Sequence, residues 1–536
     1  MKKLVTVLQT KCSPAICNYQ CLAVCPVNHS KEKNKTAGGE RLAISVREKT
    51  AKPVIHEKRC IGASCGLCVR ACPIGAITTV NIPEGTDNET PVHCYNDSLF
   101  KLYRLPQVSN NRVVGLLGQN AVGKSTVIEI LAGKITPNAG NMQSPDLKSF
   151  LRDFSIPGIS RYLQDVYNKK ISVGYKRQDL RYLLQVAEGR TVREVLTEVD
   201  ERREFAWYED FLSLHDLLDK KIEVLSGGEL QRTAIAHTFL QDRNVYLVDE
   251  PCTFLDVKQR LKLRELFVRQ LEQQRSVLVV EHDLAVLDYL TDYVCILFGS
   301  PHVFGVVSRP IATKKGINSF LNGYLQEENV SIRTKVINFR RSTKERIFEG
   351  TTIKKLSFDG FERHLGQFAL KTKQISIYQG ETLVILGENG LGKTTFANSL
   401  TEILARGSTV GEFEYHDISI KPQVLSRRFG GSVDEFLLEN SGRNLRNSDD
   451  KLHLLQPLGI WKLLDKPVKE LSGGELQRTN IAACLGKNAS IYVLDESSAF
   501  LDVMERLKIT RVIRNVAEKK RRPVIAIEHD LQVADA

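Results

Sequence analysis

No stretch of about 18 consecutive apolar residues occurs in the chain, which excludes a helix long enough to cross a bilayer. The N-terminus, MKKLVTVLQTK, also lacks the apolar core of a secretory signal, so a soluble intracellular protein is the expectation. Cysteine is scarce beyond residue 95: of twelve, nine precede it, and eight of those form two groups of four. Disulfides are out of keeping with a chain that has no secretory signal, so metal or cluster ligation is favoured over crosslinks. Acids are outnumbered, 63 against 75 Lys and Arg, for a net charge of +12. That makes polyanions candidate partners, with a merely basic surface as the alternative. What remains is ordinary globular material, 42% hydrophobic and 26% charged. At 536 residues it is too long for one core and should divide into domains of roughly 100 to 200 residues.

Residues 1–90 hold the cysteine groups. The first is Cys12, Cys17, Cys21 and Cys25 before Pro26; the second is Cys60, Cys65, Cys68 and Cys72 before Pro73. In the bacterial ferredoxin run, three cysteines hold one [4Fe–4S] cube and the fourth, before proline, reaches the other. Crossed ligation is therefore expected in an α+β ferredoxin-like domain, with Cys12, Cys17, Cys21 and Cys72 on cluster one and Cys60, Cys65, Cys68 and Cys25 on cluster two. Two zinc sites are the competing reading, since four thiolates also suit tetrahedral zinc. Four residues separate Cys60 from Cys65, where the bacterial pattern has two, so Cys60 is the least secure ligand.

The rest of the chain is duplicated. LSGGELQR occurs at Leu225–Arg232 and again at Leu471–Arg478. Gly118, Asn120, Gly123, Lys124, Ser125 and Thr126 belong to a G-x4-G-K-[ST] loop that follows an apolar strand pattern and opens a helical one; Gly387, Asn389, Gly392, Lys393, Thr394 and Thr395 repeat it. Such a loop cradles phosphates with backbone amides while its lysine neutralises charge and its hydroxyl faces Mg²⁺. The strand patterns VYLVDE and IYVLDE end in Asp249-Glu250 and Asp495-Glu496, the Asp near the metal and the Glu beside the γ-phosphate. VVEHD and AIEHD end strands at His282 and His529, and FLDV places Asp256 and Asp502 after each acidic pair. The P-loops lie further apart than the signatures, so the first copy carries about two dozen extra residues between Thr126 and Gln178. Helical spacing on both sides of Pro157-Gly158 reads as a helix-loop-helix insertion near 145–170.

With these motifs in order twice, residues 95–536 resemble the ATP-binding cassette (ABC) ATPases, an α/β fold, as cassettes at 95–307 and 346–536 joined by an ordered hinge at 308–345. The resemblance implies that Gln178 and Gln423 sense Mg²⁺ and the γ-phosphate, that Glu250 and Glu496 polarise water, and that His282 and His529 are switch residues. It also implies shared sites: Lys124, Ser125, Gln178, Asp249, Glu250 and His282 with Ser472 and Gly474 of the other cassette, and Lys393, Thr394, Gln423, Asp495, Glu496 and His529 with Ser226 and Gly228. Mg²⁺ would be held by Ser125 and Gln178, and by Thr394 and Gln423. Including the cysteine domain and strings such as FKLYRLP and DVKQRLK, the whole resembles the ribosome-recycling ABC ATPases of subfamily E, the RNase L inhibitor family. That implies a cytosolic monomer that binds ATP, Mg²⁺ and two [4Fe–4S] clusters and splits ribosomes with a release-type factor. It would remain on the small subunit, with initiation factors as further partners and no membrane. A nucleotide-gated RNA- or protein-binding scaffold is the alternative. Two departures stand out: Ser497 replaces the proline that usually follows the glutamate, and the second cassette is C-terminally short, ending seven residues after His529.

Overall fold

In the computed structural model the described residues are 2–7, 12–29, 42–46, 52–55, 59–61, 65–82, 91–95, 100–108, 112–140, 147, 150–151, 157–333, 336–337, 355–358, 360–365, 368–387, 391–405, 418–422, 425–499 and 501–528. The N-terminal unit is built on Lys2–Val7 paired antiparallel with Ile77–Ile82, so its first and last strands close the domain. Between them run short helices, Pro14–Cys17, Gln20–Ala23, Pro26–His29 and Leu67–Ala71. Val5, Val7, Ile44, Ile55 and Ile77 form one small core together with Cys12, Cys21, Cys25 and Cys68. With so few apolar side chains the thiols are part of the core itself.

The first cassette contains a nine-stranded sheet. From one edge inward, Val173–Lys176, Val245–Asp249, Ser276–Val280 and Val113–Gly118 run parallel in that spatial order. The inner three are buried along their length, which is why they read as continuous apolar runs rather than alternating ones. Lys124–Leu131, Gly227–Phe239 and Val257–Glu272 are the principal helices that connect them. The second cassette repeats the four-strand core in the same order with Ile418–Lys421, Ile491–Asp495, Val524–Ile527 and Thr382–Ile385, all parallel. In such sheets ligands bind outside the carboxyl ends of the strands, where Gly118 of the first P-loop and the acid pairs Asp249-Glu250 and Asp495-Glu496 lie.

The insertion differs from its expected form in one respect. Pro157 and Gly158 open the helix Pro157–Tyr167 rather than break one, consistent with the ease of proline in a first turn. Ile159 and Leu163 are buried in the cassette core beside Phe150. Tyr162 and Tyr167 donate to the carbonyls of Leu131 (2.8 Å) and Ile135 (2.6 Å) behind the P-loop helix.

Between the copies, Thr313–Asn322 ends at Gly323, whose φ of +77° caps the helix. Ile317, Phe320, Leu325, Val330 and Ile337 share a core with Ile296 and Phe298 of the first cassette and Val503 of the second. Among the described residues no helix is long and apolar enough to cross a membrane.

Candidate functional site

Asp249 and Glu250 emerge buried from the end of their strand. Glu250 adopts a φ of +46° and its counterpart Glu496 one of +50°, a left-handed conformation that costs a non-glycine residue about 1–2 kcal/mol. Storing the same strain at the same place in both copies marks a functional position. Around Glu250, Gln178 Nε2 donates to Oε1 at 2.7 Å and His282 Nε2 lies 3.3 Å from the same oxygen. Burial acts to raise the Glu250 carboxyl, but the hydrogen bond and charge of His282, with Lys124 and Gln178, hold it down at about 2. It is an ionised acceptor, suited to orienting water. Burial, then the adjacent Glu250 charge, raises Asp249 to about 7; a divalent cation there would restore the carboxylate.

Lys124 Nζ folds back onto the carbonyls of Gly118 and Gln119, both at 2.8 Å, and towards Asn120 Oδ1 at 3.4 Å. Burial lowers it to about 8 against the pull of Asp502, Glu250 and Asp249. In the second copy Lys393 Nζ reaches the Gly387 carbonyl at 2.6 Å, and Thr394 Oγ1 donates to Asp495 Oδ2 at 3.0 Å. That hydroxyl–carboxylate pair is the donor set a Mg²⁺ ion bound to nucleotide would take, and in the first copy Ser125 occupies the same loop position. Asn389, Gln423 and His529 lie outside the described residues.

Burial and then Lys124 lower His282 below its ordinary 6.5, against Glu250. The ring is neutral at pH 7 and donates through Nε2. Because the folded pKa lies below the unfolded one, the unfolded state takes up protons first as pH drops through 6.5, so stability falls on the acid side. With Mg²⁺ holding Asp249 ionised, the acid limb of the kcat/KM profile for ATP should therefore begin only below about pH 6.5. A midpoint for this limb above 6.5 would contradict a buried neutral His282.

Several positions were missed at the sequence level. Lys176 and Lys421, fully buried, donate to the carbonyls of Asp249 and Glu250 (2.9 and 3.1 Å) and of Asp495 and Glu496 (2.6 and 3.1 Å). Both stand two residues before the predicted glutamine, a repeat visible in YKRQ and IKPQ. Gln231 and Gln477 of LSGGELQR bind the carbonyls of Glu250 (3.0 Å) and Glu496 (2.6 Å). The strained peptides are thus held by a lysine and a glutamine in each copy. Lys176→Met would strand two buried carbonyls and is expected to lower the unfolding free energy by about 3 kcal/mol, measured by denaturant titration.

The loop after each acid pair is anchored by the glutamate of EHD. Cys252 N–H donates to Glu281 Oε1 at 2.8 Å, following Pro251. In the second copy Ser497 supplies both its N–H (2.9 Å) and its hydroxyl to Glu528, and Ser498 its hydroxyl at 2.7 Å. The Ser497 departure therefore adds donors to a buried carboxylate. Phe100 and Phe368 lie against Gly123 and Gly392, so close that a Cβ on either glycine would meet the ring at 2.5 and 2.7 Å.

The signatures are helix starts. Ser226 and Ser472 cap Gly227–Phe239 and Gly473–Gly486, each in a reciprocal box with Glu229 or Glu475, the S-x-x-E pattern contained in LSGGE. Gly228 and Gly474 lie half-buried in the first turns, where helix N-terminal amides attract anions. Between the cassettes, Asn120 N–H donates to Asp502 Oδ2 at 3.0 Å. The charge of Asp502 acts on Lys124, and that of Asp256 acts on Lys393. Each FLDV aspartate thus faces the opposite P-loop.

In the N-terminal domain Cys12, Cys17, Cys21 and Cys72 line one cavity, with Pro14, Pro53 and Pro73 around them. Burial, then Cys17, pushes the Cys21 thiol up to about 11. Burial does the same to Cys68, followed by the nearby thiols of Cys60, Cys25 and Cys65. Cys60, Cys25 and Cys65 thus lie near Cys68, apart from the cavity lined by Cys12, Cys17, Cys21 and Cys72. Among the described residues no three His, Cys, Asp or Glu side chains converge on a single-ion site.

The ABC transporter family profile matches residues 106–253 and 370–499. An uncharacterised ABC transporter ATP-binding protein of Methanocaldococcus jannaschii is 39% identical over 99% of this chain and 86% of its own. A ribosome-bound archaeal ABCE1, solved with Pelota, matches with a TM-score of 0.86 at 40% identity, over 100% of this chain and 87% of that one. The chain belongs to subfamily E of the ABC ATPases. An archaeal ribosome recycling factor of the same subfamily, solved with the ribosomal stalk protein aP1, is also 40% identical, with a TM-score of 0.72 over 83% of this chain and 86% of that one. This subfamily E protein is an ATPase whose two cassettes bind ATP and Mg²⁺.

Proposed function

We propose that this subfamily E ATPase is a cytoplasmic ribosome recycling factor. It separates the subunits after termination or stalling, together with a release-type factor, and stays on the small subunit until ATP is hydrolysed. The observation that carries this reading is the likeness over the entire chain to a relative that is ribosome-bound. The cassette contact through Asp502 and Asn120 supplies the mechanism.

Two ATP molecules sit between head-to-tail cassettes. One is held by Lys124, Ser125 and Asp249 and faced by Ser472 and Gly474; the other is held by Lys393, Thr394 and Asp495 and faced by Ser226 and Gly228. Only the closed state makes both sets of contacts, so ATP favours closure and hydrolysis, with water oriented by Glu250 and Glu496, removes the preference. Gln178 and His282 hold Glu250 in place in the first site; family resemblance assigns the corresponding roles of the second to Gln423 and His529.

The N-terminal cysteines fit two [4Fe–4S] clusters, one on Cys12, Cys17, Cys21 and Cys72 and one on Cys25, Cys60, Cys65 and Cys68. Bound clusters supply covalent bracing to a domain with a small apolar core. The braced domain is stiff enough to transmit cassette closure to the ribosome.

The test is sedimentation of ribosomes with the purified protein, ATP and a release-type factor. Free subunits are expected with ATP; intact ribosomes under every nucleotide condition would overturn the proposal. A scaffold with incidental turnover would instead support repeated rounds of splitting when Glu250 and Glu496 are both glutamine.

A further inference from the structure

The two cassette interfaces are not equivalent at one buried position. In the second cassette the helix Val503–Lys520 begins at Asp502, whose Oδ1 accepts the Glu505 N–H at 2.9 Å. Glu505 is engaged on both sides. Its Oε1 pairs with Arg478, the last residue of the second LSGGELQR, and both side chains are largely buried at 15% and 17% exposed. Its Oε2 accepts Asn120 Nδ2, from the P-loop of the first cassette, at 3.1 Å. Asn120 Oδ1 in turn faces Lys124 Nζ at 3.4 Å. An unbroken polar path therefore runs from the second signature helix, across the interface, to the phosphate-binding lysine of the first.

The reverse direction has no matching carboxylate, and Asn389, the counterpart of Asn120, lies outside the described residues. The position equivalent to Glu505 is Gln259, whose Oε1 is buried without a hydrogen-bond partner among the described residues. Arg232, equivalent to Arg478, donates within its own cassette to the carbonyls of Leu212 (2.9 Å) and Ser213 (2.6 Å). A neutral amide cannot pair with arginine and orient an asparagine as a carboxylate does, because a charge-assisted hydrogen bond is roughly twice as strong as a neutral one.

We propose that Glu505 is a positioning residue for the ATP site of the first P-loop, coupling that site alone to the second signature helix. The inference rests on the assignment of the shared ATP sites above. Glu505 touches neither phosphate nor metal; it orients Asn120, and through it Lys124, only when the cassettes are closed. The first site is thereby tied to the position of the opposite signature helix through a carboxylate, where the second site has the neutral Gln259 and its aspartate, Asp256.

The experiment uses the full chain and reads ATP hydrolysis against ATP concentration in two backgrounds: E496Q, where the first site alone turns over, and E250Q, where the second does. E505Q changes charge at constant shape and matches Gln259, so it should fold; thermal unfolding checks this. It is expected to raise the first-site KM about tenfold, more than it lowers kcat, and to leave the second-site KM within about twofold. R478Q should do the same, and the double variant R478Q/E505Q should be no worse than the larger single effect. E505D, which keeps the charge but withdraws it, should fall between. An equal KM change at both sites, a first-site change below twofold, or additive single effects would overturn the proposal. If E496Q and E250Q each left turnover at the wild-type level, the assignment of the catalytic carboxylates would fail and the coupling with it. If they silence their own sites while E505Q acts on both alike, the coupling alone fails.

Discussion

Glu250→Gln combined with Glu496→Gln is expected to lower steady-state ATP turnover by at least about a hundredfold, while ATP binding is retained. Glutamine preserves the shape and an acceptor oxygen for Gln178, which now sits 2.7 Å from Glu250 Oε1, so the loop is not disturbed. What is lost is the ionised carboxylate that His282 and Lys124 hold down at about 2, and with it the group that orients the attacking water. Because only the closed state faces each ATP with the opposite cassette, blocking hydrolysis should also trap the nucleotide. Phosphate release and the dissociation rate of labelled ATP measure the two effects separately. Turnover within a few-fold of wild type would remove Glu250 and Glu496 from the chemistry.

The second large effect concerns the cysteines. Cys72→Ser is expected to lose about half of the bound iron and sulfide, the same half lost in Cys12→Ser, because those side chains line one cavity with Cys17 and Cys21. Cys25→Ser should instead lose the half also lost in Cys68→Ser, whose thiol is influenced by Cys60, Cys25 and Cys65. Combining changes within one set should cost no further iron, and combining across the sets should cost nearly all of it. The domain should also unfold at lower temperature, since Cys12, Cys21, Cys25 and Cys68 are core residues and a cluster contributes binding free energy to folding. Iron content together with thermal unfolding tests this. If Cys72→Ser removed the same iron as Cys68→Ser, ligation would follow chain order and the crossed assignment would be wrong.

The P-loops, acid pairs, signatures and strand-end histidines were legible in the linear chain because each is a contiguous string with a local physical purpose. A phosphate-binding loop needs its glycines and lysine side by side, and a helix start needs its serine three residues before its glutamate. The alternation of apolar runs with helical patterns likewise announced parallel sheets. The insertion was legible as an offset between copies, although Pro157 opens its helix where a break was expected.

Side chains whose role depends on burial were not legible. Lys176 and Lys421 look like surface charges in sequence, yet they lie at the centre of each site because strand order puts Val173–Lys176 beside Val245–Asp249 and Ile418–Lys421 beside Ile491–Asp495. Glu281 and Glu528 were read only as neighbours of the histidines, and Phe100 and Phe368 not at all. Which interface would carry a charged link was equally hidden. Glu505 and Gln259 differ by one functional group in near-identical strings, and nothing local states that Asn120, 385 positions away in the chain, is the partner.

Composition and motif order alone thus established a duplicated P-loop ATPase behind a cysteine-rich domain. Those features are written in short range, in residues that must be adjacent to work. Tertiary structure alone decided which lysine, glutamine and glutamate hold the strained Glu250 and Glu496, and that Glu505, where the first copy has Gln259, joins Arg478 to Asn120 across the cassettes. Each of these depends on residues far apart in the chain being packed within hydrogen-bond or ion-pair distance, where removal from water makes a single charge decisive.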